Sequence, residues 1–422
     1  MKLPQKDHSP SQLSGEHRIQ PRRANVAVLE RLFQAGLLVT VLLLASCAEV
    51  PNNVAPRKAA NLVFPAAPDE PHYYLERILH SSADIVPDEE NGALKRLVTG
   101  TGKSGEGLAK PFGIAVHNGR IYVADSGDRV VKVFDVPGKR FFKVGDEDGQ
   151  GMLRSPLGVA TDGDGNVYVV DGTYKEVKIY DKEGKFLRII GKKDDIYRPA
   201  GIAVDKEGKR IYVVDVGGVQ STEHHIRVFD AHTGQHLLDI GKRGDKDGEL
   251  NLPRDVAIGP DGLLYVVDGG NFRVEVFKTD GTFVSSFGGI GNRGGQFSRP
   301  KGIAIDPNNY AYVVDTAFGN FQIFSPKGEL MLAIGGRSET DEPAAFMLPA
   351  GIASDQDGRI YVVDQFFRKV EIYRPAALKE GTGQLYGTPT QVAEKPATQK
   401  TLPADKPEPQ KTPAVSPADP KG

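Results

Sequence analysis

The 422-residue chain holds a single cysteine, no tryptophan and only four methionines. One thiol cannot close a bond within the chain, so the fold must stand on packing and hydrogen bonds alone. No apolar stretch approaches the ~20 residues that a spanning helix needs. The most apolar run, Ala35 to Ala45, has 11. A large charge of either sign is missing too, with 53 Lys and Arg against 55 Asp and Glu. Beyond residue 46 the balance is 47 basic to 52 acidic side chains. That excludes a global basic footprint for nucleic acid, though not a local basic patch.

Glycine is plentiful at 49 residues, as many tight turns require, and the rest of the chain is dominated by one repeated phrase. It begins Pro-x-Gly-(Ile/Val)-Ala at Pro111, Pro156, Pro199, Pro300 and Pro349, with the variant Pro253-Arg254-Asp255-Val256-Ala257 in fourth place. An apolar-Tyr-Val-(Ala/Val)-Asp phrase follows, ending at Asp125, Asp171, Asp215, Asp268, Asp315 and Asp364. Then comes a (Val/Ile/Phe)-x-(Val/Ile)-(Phe/Tyr) phrase, ending at Phe134, Tyr180, Phe229, Phe277, Phe324 and Tyr373. The prolines lie 45, 43, 54, 47 and 49 residues apart. Such a period, filled with short β-like runs, predicts an all-β, six-bladed β-propeller of four-stranded antiparallel blades. The Tyr-Val phrase is apolar at consecutive positions, which places both faces of that strand against neighbours.

The sixth repeat lacks a fourth strand, because Arg374-Pro375 leads out of it. Tyr73-Tyr74-Leu75-Glu76-Arg77-Ile78-Leu79 resembles the missing strand and precedes the first repeat. It is expected to complete the last blade and close the ring, which removes the open edges.

Cys47 ends Leu44-Ala45-Ser46-Cys47, behind the apolar run and Arg22, Arg23 and Arg31. This resembles a bacterial lipobox, so residues 1–46 are expected to be a lipoprotein signal peptide, with Cys47 lipidated. Residues 47–71 are Ala/Pro-rich and read as a tether, residues 72–378 as the propeller, and residues 379–422 as a disordered Pro/Lys-rich tail.

Pro-x-Gly-Ile-Ala-Val, Gly-x-Ile-Tyr-Val-Val-Asp and Asn271-Phe272-Arg273-Val274-Glu275-Val276-Phe277 together resemble the NHL repeat. The resemblance covers residues 108–373 and implies the propeller fold. For function it implies less, because such propellers include protein-binding platforms, RNA binders, sensor domains and a few lyases.

A metal or catalytic role for the six strand-end Asp residues conflicts with their sixfold repetition. They read as acceptors for backbone N–H groups in turns. Asp162-Gly163-Asp164-Gly165-Asn166 and Asp245-Lys246-Asp247-Gly248-Glu249 begin like calcium loops, but position 12 is Thr173 in one and Val256 in the other. Gly100-Thr101-Gly102-Lys103-Ser104-Gly105 lacks the upstream glycine and following helix of a phosphate loop. Related lyases hold zinc with channel histidines, whereas here no three histidines occupy equivalent repeat positions. No catalytic residue, metal or cofactor is therefore assigned.

Two asymmetries remain as candidates for partner binding. One is the long loop after Asp215, with Val219, His224 and His225; ordinary drift of a tolerated loop competes with that reading. The other is a set of cations leading into the first strands, Lys110, Arg154, Arg198, Arg254, Arg299 and Lys301. They would form a positive collar at one channel mouth unless Asp146, Asp148, Asp245 and Asp247 balance them. The chain thus reads as a lipid-anchored, monomeric envelope propeller. It is expected to face the periplasm or exterior, from the outer membrane, and to bind another envelope protein without catalysis or nucleic acid. The competing readings are a metal-dependent lyase or lactonase-like hydrolase at the channel mouth, and a sensor for a small ligand or glycan.

Overall fold

The computed structural model describes residues 62–87, 105–191, 195–217 and 221–393. Cys47, Val219 and residues 394–422 lie outside them. Every repeat folds into an antiparallel blade whose strands follow chain order from the axis outward. Blade one runs Pro111–His117, Arg120–Asp125, Val130–Asp135 and Arg140–Val144. The innermost strands pack side by side in sequence, and Pro349–Ser354 of blade six returns to Pro111–His117 of blade one. The ring is closed.

Burial explains the consecutive apolar residues of each second strand. Ile121, Tyr122, Val123 and Ala124 are wholly buried, and their counterparts in the other blades are buried too. The core is divided into six apolar clusters, one at each seam between neighbouring blades. At the axis the backbones come so close that a Cβ on the repeat glycine, present in five of the six blades, would clash. A Cβ on Gly113 would stand 2.4 Å from the Leu157 carbonyl oxygen, and one on Gly351 would stand 2.5 Å from that of Phe112.

The N-terminal strand closes the ring as its sequence predicts: Tyr73–Leu79 pairs antiparallel with Lys369–Pro375. Its Glu76 accepts a 2.7 Å bond from Arg359 Nε, and both side chains are buried. Two boundaries expected from composition move outward. Val63–Phe64, inside the expected tether, pairs with Tyr73 and Tyr74 as a fifth strand of blade six. Phe64 packs edge-on against Tyr373, which repays the ordering of this short segment.

Residues 379–393, expected to be disordered, form an arm over blades six and one. Leu385 is fully buried in the core cluster at that seam. Arg359 Nη2 donates to the Thr382 carbonyl at 2.6 Å, and Gln384 N–H donates to Asp357 at 2.6 Å. Averaged over a Pro-rich tail, composition hides these few anchors.

Candidate functional site

The first and second strands pair with Pro111 opposite Asp125, and the same register recurs in every blade. The connection leading into each first strand therefore emerges on the same face as the loop after each second strand. All the collar cations lie on that face.

The six repeated Asp residues hold this face together. Each is fully buried, and they grip the connections into the first strands as well as their own turns. Asp125 accepts the N–H groups of Ala109 and Lys110 at 2.7 and 2.8 Å. Asp171 takes those of Arg154 and Ser155, and Asp215 those of Tyr197 and Arg198. Asp315 takes Ser298 and Arg299, and Asp364 takes Met347 and Leu348. The backbones of Lys110, Arg154, Arg198 and Arg299 are thus pinned by buried carboxylates.

Blade four breaks the pattern. Asp268 accepts only Asn251 N–H of the usual pair, at 2.6 Å. The next donor, Leu252 N–H, goes to His224 Nδ1 at 3.1 Å. Leu252 also adopts a left-handed φ of 49°, a conformation that costs free energy in a side chain with a Cβ. Burial pushes the Asp268 carboxyl up to about 6 despite the bonds it does receive.

This placement corrects one expectation for the long loop. His224 and His225 are buried, 0% and 6% exposed, and are not presented to a partner. His224 instead supports the connection that leads to Arg254, which lies, like Lys301, inside a first strand rather than before it. His225 faces Asp215 across the first rung of its strand pair, and burial lowers its imidazole below the ordinary value.

Arg254, Arg299 and Lys301 line a cavity of about 520 Å³ at the channel mouth, with Phe112, Leu348 and Gln365 among its walls. Arg198 and Lys110 stand close enough to perturb Arg254 and Lys301 respectively, while Arg154 is an exposed member of the rim. Among the described residues, none of the six makes an ion pair. Asp247 turns to Arg273 instead. Burial, then repulsion from Arg198 and Arg299, lowers the Arg254 guanidinium.

Asp255, which replaces the repeat glycine, lies in the same cavity wall. Its Oδ2 accepts Ile303 N–H of the next blade at 3.2 Å. Burial among backbone raises this carboxyl to about 7, against the opposing effect of the Ile303 and Val256 N–H groups. The break in Pro-x-Gly was the visible signal for this residue.

Exposed aromatics share the face. Tyr174 is 44%, Tyr197 53% and Phe366 53% exposed. Lys178 and Lys175 lie over the Tyr174 and Tyr197 rings at 4.6 and 4.8 Å. No sequence motif marks these three, which lie in turns and connections outside the repeated phrases. The opposite mouth differs in kind, with Asp162, Asp306 and Asp355 in the wall of a cavity of about 670 Å³. Tyr168, Tyr312 and Tyr361 hydroxyls donate to these three carboxylates. Among the described residues no three His, Cys, Asp or Glu side chains converge as a metal ligand set.

Comparison with known proteins agrees with this architecture. Residues 250–277, most of blade four, match the family model of the NHL repeat. A stretch of 56 residues is 46% identical to RING finger protein nhl-1 of Caenorhabditis elegans, covering 13% of this chain and 6% of that protein's length. A Bacteroides thetaiotaomicron protein of unknown function superposes with TM-score 0.52 at 17% identity, over 71% of this chain and 75% of its own. A gluconolactonase from Xanthomonas campestris superposes with TM-score 0.50 at 15% identity, over 64% and 86%. At such identities the structural likeness shows the fold alone. By its repeats and its architecture, this chain is a six-bladed β-propeller, with residues 250–277 of its fourth blade matching the NHL repeat.

Proposed function

We propose that the propeller is a non-enzymatic platform that binds an acidic partner protein on the face carrying the cationic mouth. The observation behind this reading is that exposed aromatics, Tyr174, Tyr197 and Phe366, share a face with cations that make no ion pair among the described residues. Tyr and Arg are the side chains that most often anchor protein interfaces, because they bring large area at low entropic cost together with directed donors. Pinned backbones keep that cost low here. A hydrolase or lyase at the mouth would need a reacting centre, whereas the walls offer three cations and one carboxylate that already accepts backbone N–H groups.

The location is part of the same proposal. Lipid on Cys47 would hold the platform at a bacterial membrane, the outer one by preference, facing the periplasm or exterior. A diacylglycerol with a third chain anchors stably, whereas one chain binds marginally.

Cross-linking in intact cells tests both parts. The wild-type chain is expected to capture one acidic envelope protein, and the double variant Tyr197→Ala, Phe366→Ala to lose it while still folding. Cys47→Ser is expected to leave the membrane fraction after a high-salt wash. A partner retained by the double variant would rule out this face, and a sedimenting Ser variant would rule out the lipid anchor.

A further inference from the structure

The cavity at the centre of the docking face is short of acceptors and rich in donors. Lys301 Nζ reaches the Gln365 amide oxygen at 3.3 Å and lies 4.5 Å from the centre of the Phe112 ring. It has no carboxylate partner among the described residues, although an ammonium carries three donors. Gln365 gives its oxygen to Lys301 and leaves its own shielded amide nitrogen without a hydrogen bond. Phe112, Leu348, Ala350 and several glycines supply apolar wall beside these polar groups. Apolar walls around a few convergent donors, in a volume of this size, are the usual composition of a small-ligand pocket.

We propose that this cavity is a binding pocket for a single carboxylate carried on an apolar body, with Lys301 as its principal contact and Arg254 and Arg299 closing over it. The inference rests on the platform reading, of which it names the central contact. One negative charge fits better than two, because Asp255 stands in the same wall and repels a second. The body of the ligand would lie on Phe112 and Leu348. Two sources share this chemistry: a free hydrophobic acid, and the chain end of a partner protein.

The charges around Lys301 give the pocket a pH signature. Burial, with repulsion from Arg254, Lys110 and Arg299 against the attraction of Asp364, pushes its ammonium down to about 8. Gln365 and Asp255 complete the surroundings. A bound carboxylate favours the protonated amine, so binding takes up a proton near pH 8 and affinity falls as pH rises through that value.

The test compares N-acetylphenylalanine with N-acetylphenylalaninamide on the full chain by calorimetry. The acid is expected to bind at least about tenfold more tightly than the amide. Lys301→Met should erase the difference, and Lys327→Met, on the opposite face, should keep it. The acid should also slow acetylation of the wild-type Lys301 amine, read by peptide mass spectrometry, which needs no variant to fold. A pentapeptide ending in Phe separates the sources. Tighter binding than the free acid identifies a partner's chain end, and equal binding identifies a small acid. Equal affinity for acid and amide, an unprotected Lys301, or displacement by inorganic phosphate at matching concentration would overturn the proposal. Should cross-linking still capture a partner through Tyr197 and Phe366, the platform stands and only the pocket is lost.

Discussion

Among single residues, Asp255 most sharply separates the blades. Five repeats keep glycine at this position because the next blade's backbone leaves no room for a Cβ. In blade four a carboxyl occupies the seam, reaching Ile303 N–H, and its Oδ1 would stand 2.2 Å from a Cβ placed on Gly201. Burial raises its folded value to about 7 from an ordinary 3.8. The stability this carboxyl contributes is complete below the unfolded value and is lost as pH rises through 7. Asp255→Asn removes the ionisation while keeping an acceptor oxygen for Ile303. The variant is therefore expected to be more stable than the wild type by about 1–2 kcal/mol at pH 8, discounted for channel water, and by less at pH 5. Urea unfolding at the two pH values measures this. A gain that is equal at both would mean that Asp255 is already ionised in the folded protein at pH 5.

At the scale of elements, the two chain ends carry the ring closure. Glu76 on the strand Tyr73–Leu79 is the buried partner of Arg359, and Leu385 on the C-terminal arm fills the seam beside it. A chain ended after Ala377 loses Leu385 and the Thr382 acceptor of Arg359, a cost of about 3–5 kcal/mol. A chain begun at Ser81 also strips the outer edge of blade six and leaves Arg359 without Glu76, so it should aggregate on expression. Ending the chain after Ala393 should change the melting temperature little, as followed by circular dichroism. Equal melting of the chains ended at Ala377 and Ala393 would refute the structural role of the arm.

Closure by the N-terminal strand could be read from the sequence because strand counting is local: the sixth repeat is one strand short. The arm could not, since its hold depends on one leucine and on polar contacts with residues about 25 positions away. The same limit explains His224. Its part in replacing one Asp bond to Leu252 joins a loop of blade three to a connection of blade four, and no periodicity encodes such a contact. The cations of the mouth were legible because they cluster within two residues of the repeat proline. The aromatics beside them do not recur, and a turn residue looks the same whether it faces solvent or a partner.

For the molecule as a whole, the distribution of charge matters more than its sum. A formal net charge of −2 conceals a cationic mouth on one face and three carboxylates in the wall of the other. A partner of acidic surface is attracted to the first face and repelled by the rest, which favours encounter in one orientation. Replacing Arg198, Arg254 and Arg299 together by Ala is expected to slow association with the cross-linked partner by about tenfold at low salt, with dissociation changed less. The dependence of association on ionic strength should flatten, because the long-range attraction being screened has been removed. Folding stability should stay within about 1 kcal/mol of the wild type, since these side chains make no ion pairs among the described residues. Stopped-flow association at several salt concentrations measures both quantities. An unchanged low-salt rate would show that the collar does not steer the encounter, and would leave Tyr174, Tyr197 and Phe366 to hold the partner by contact alone.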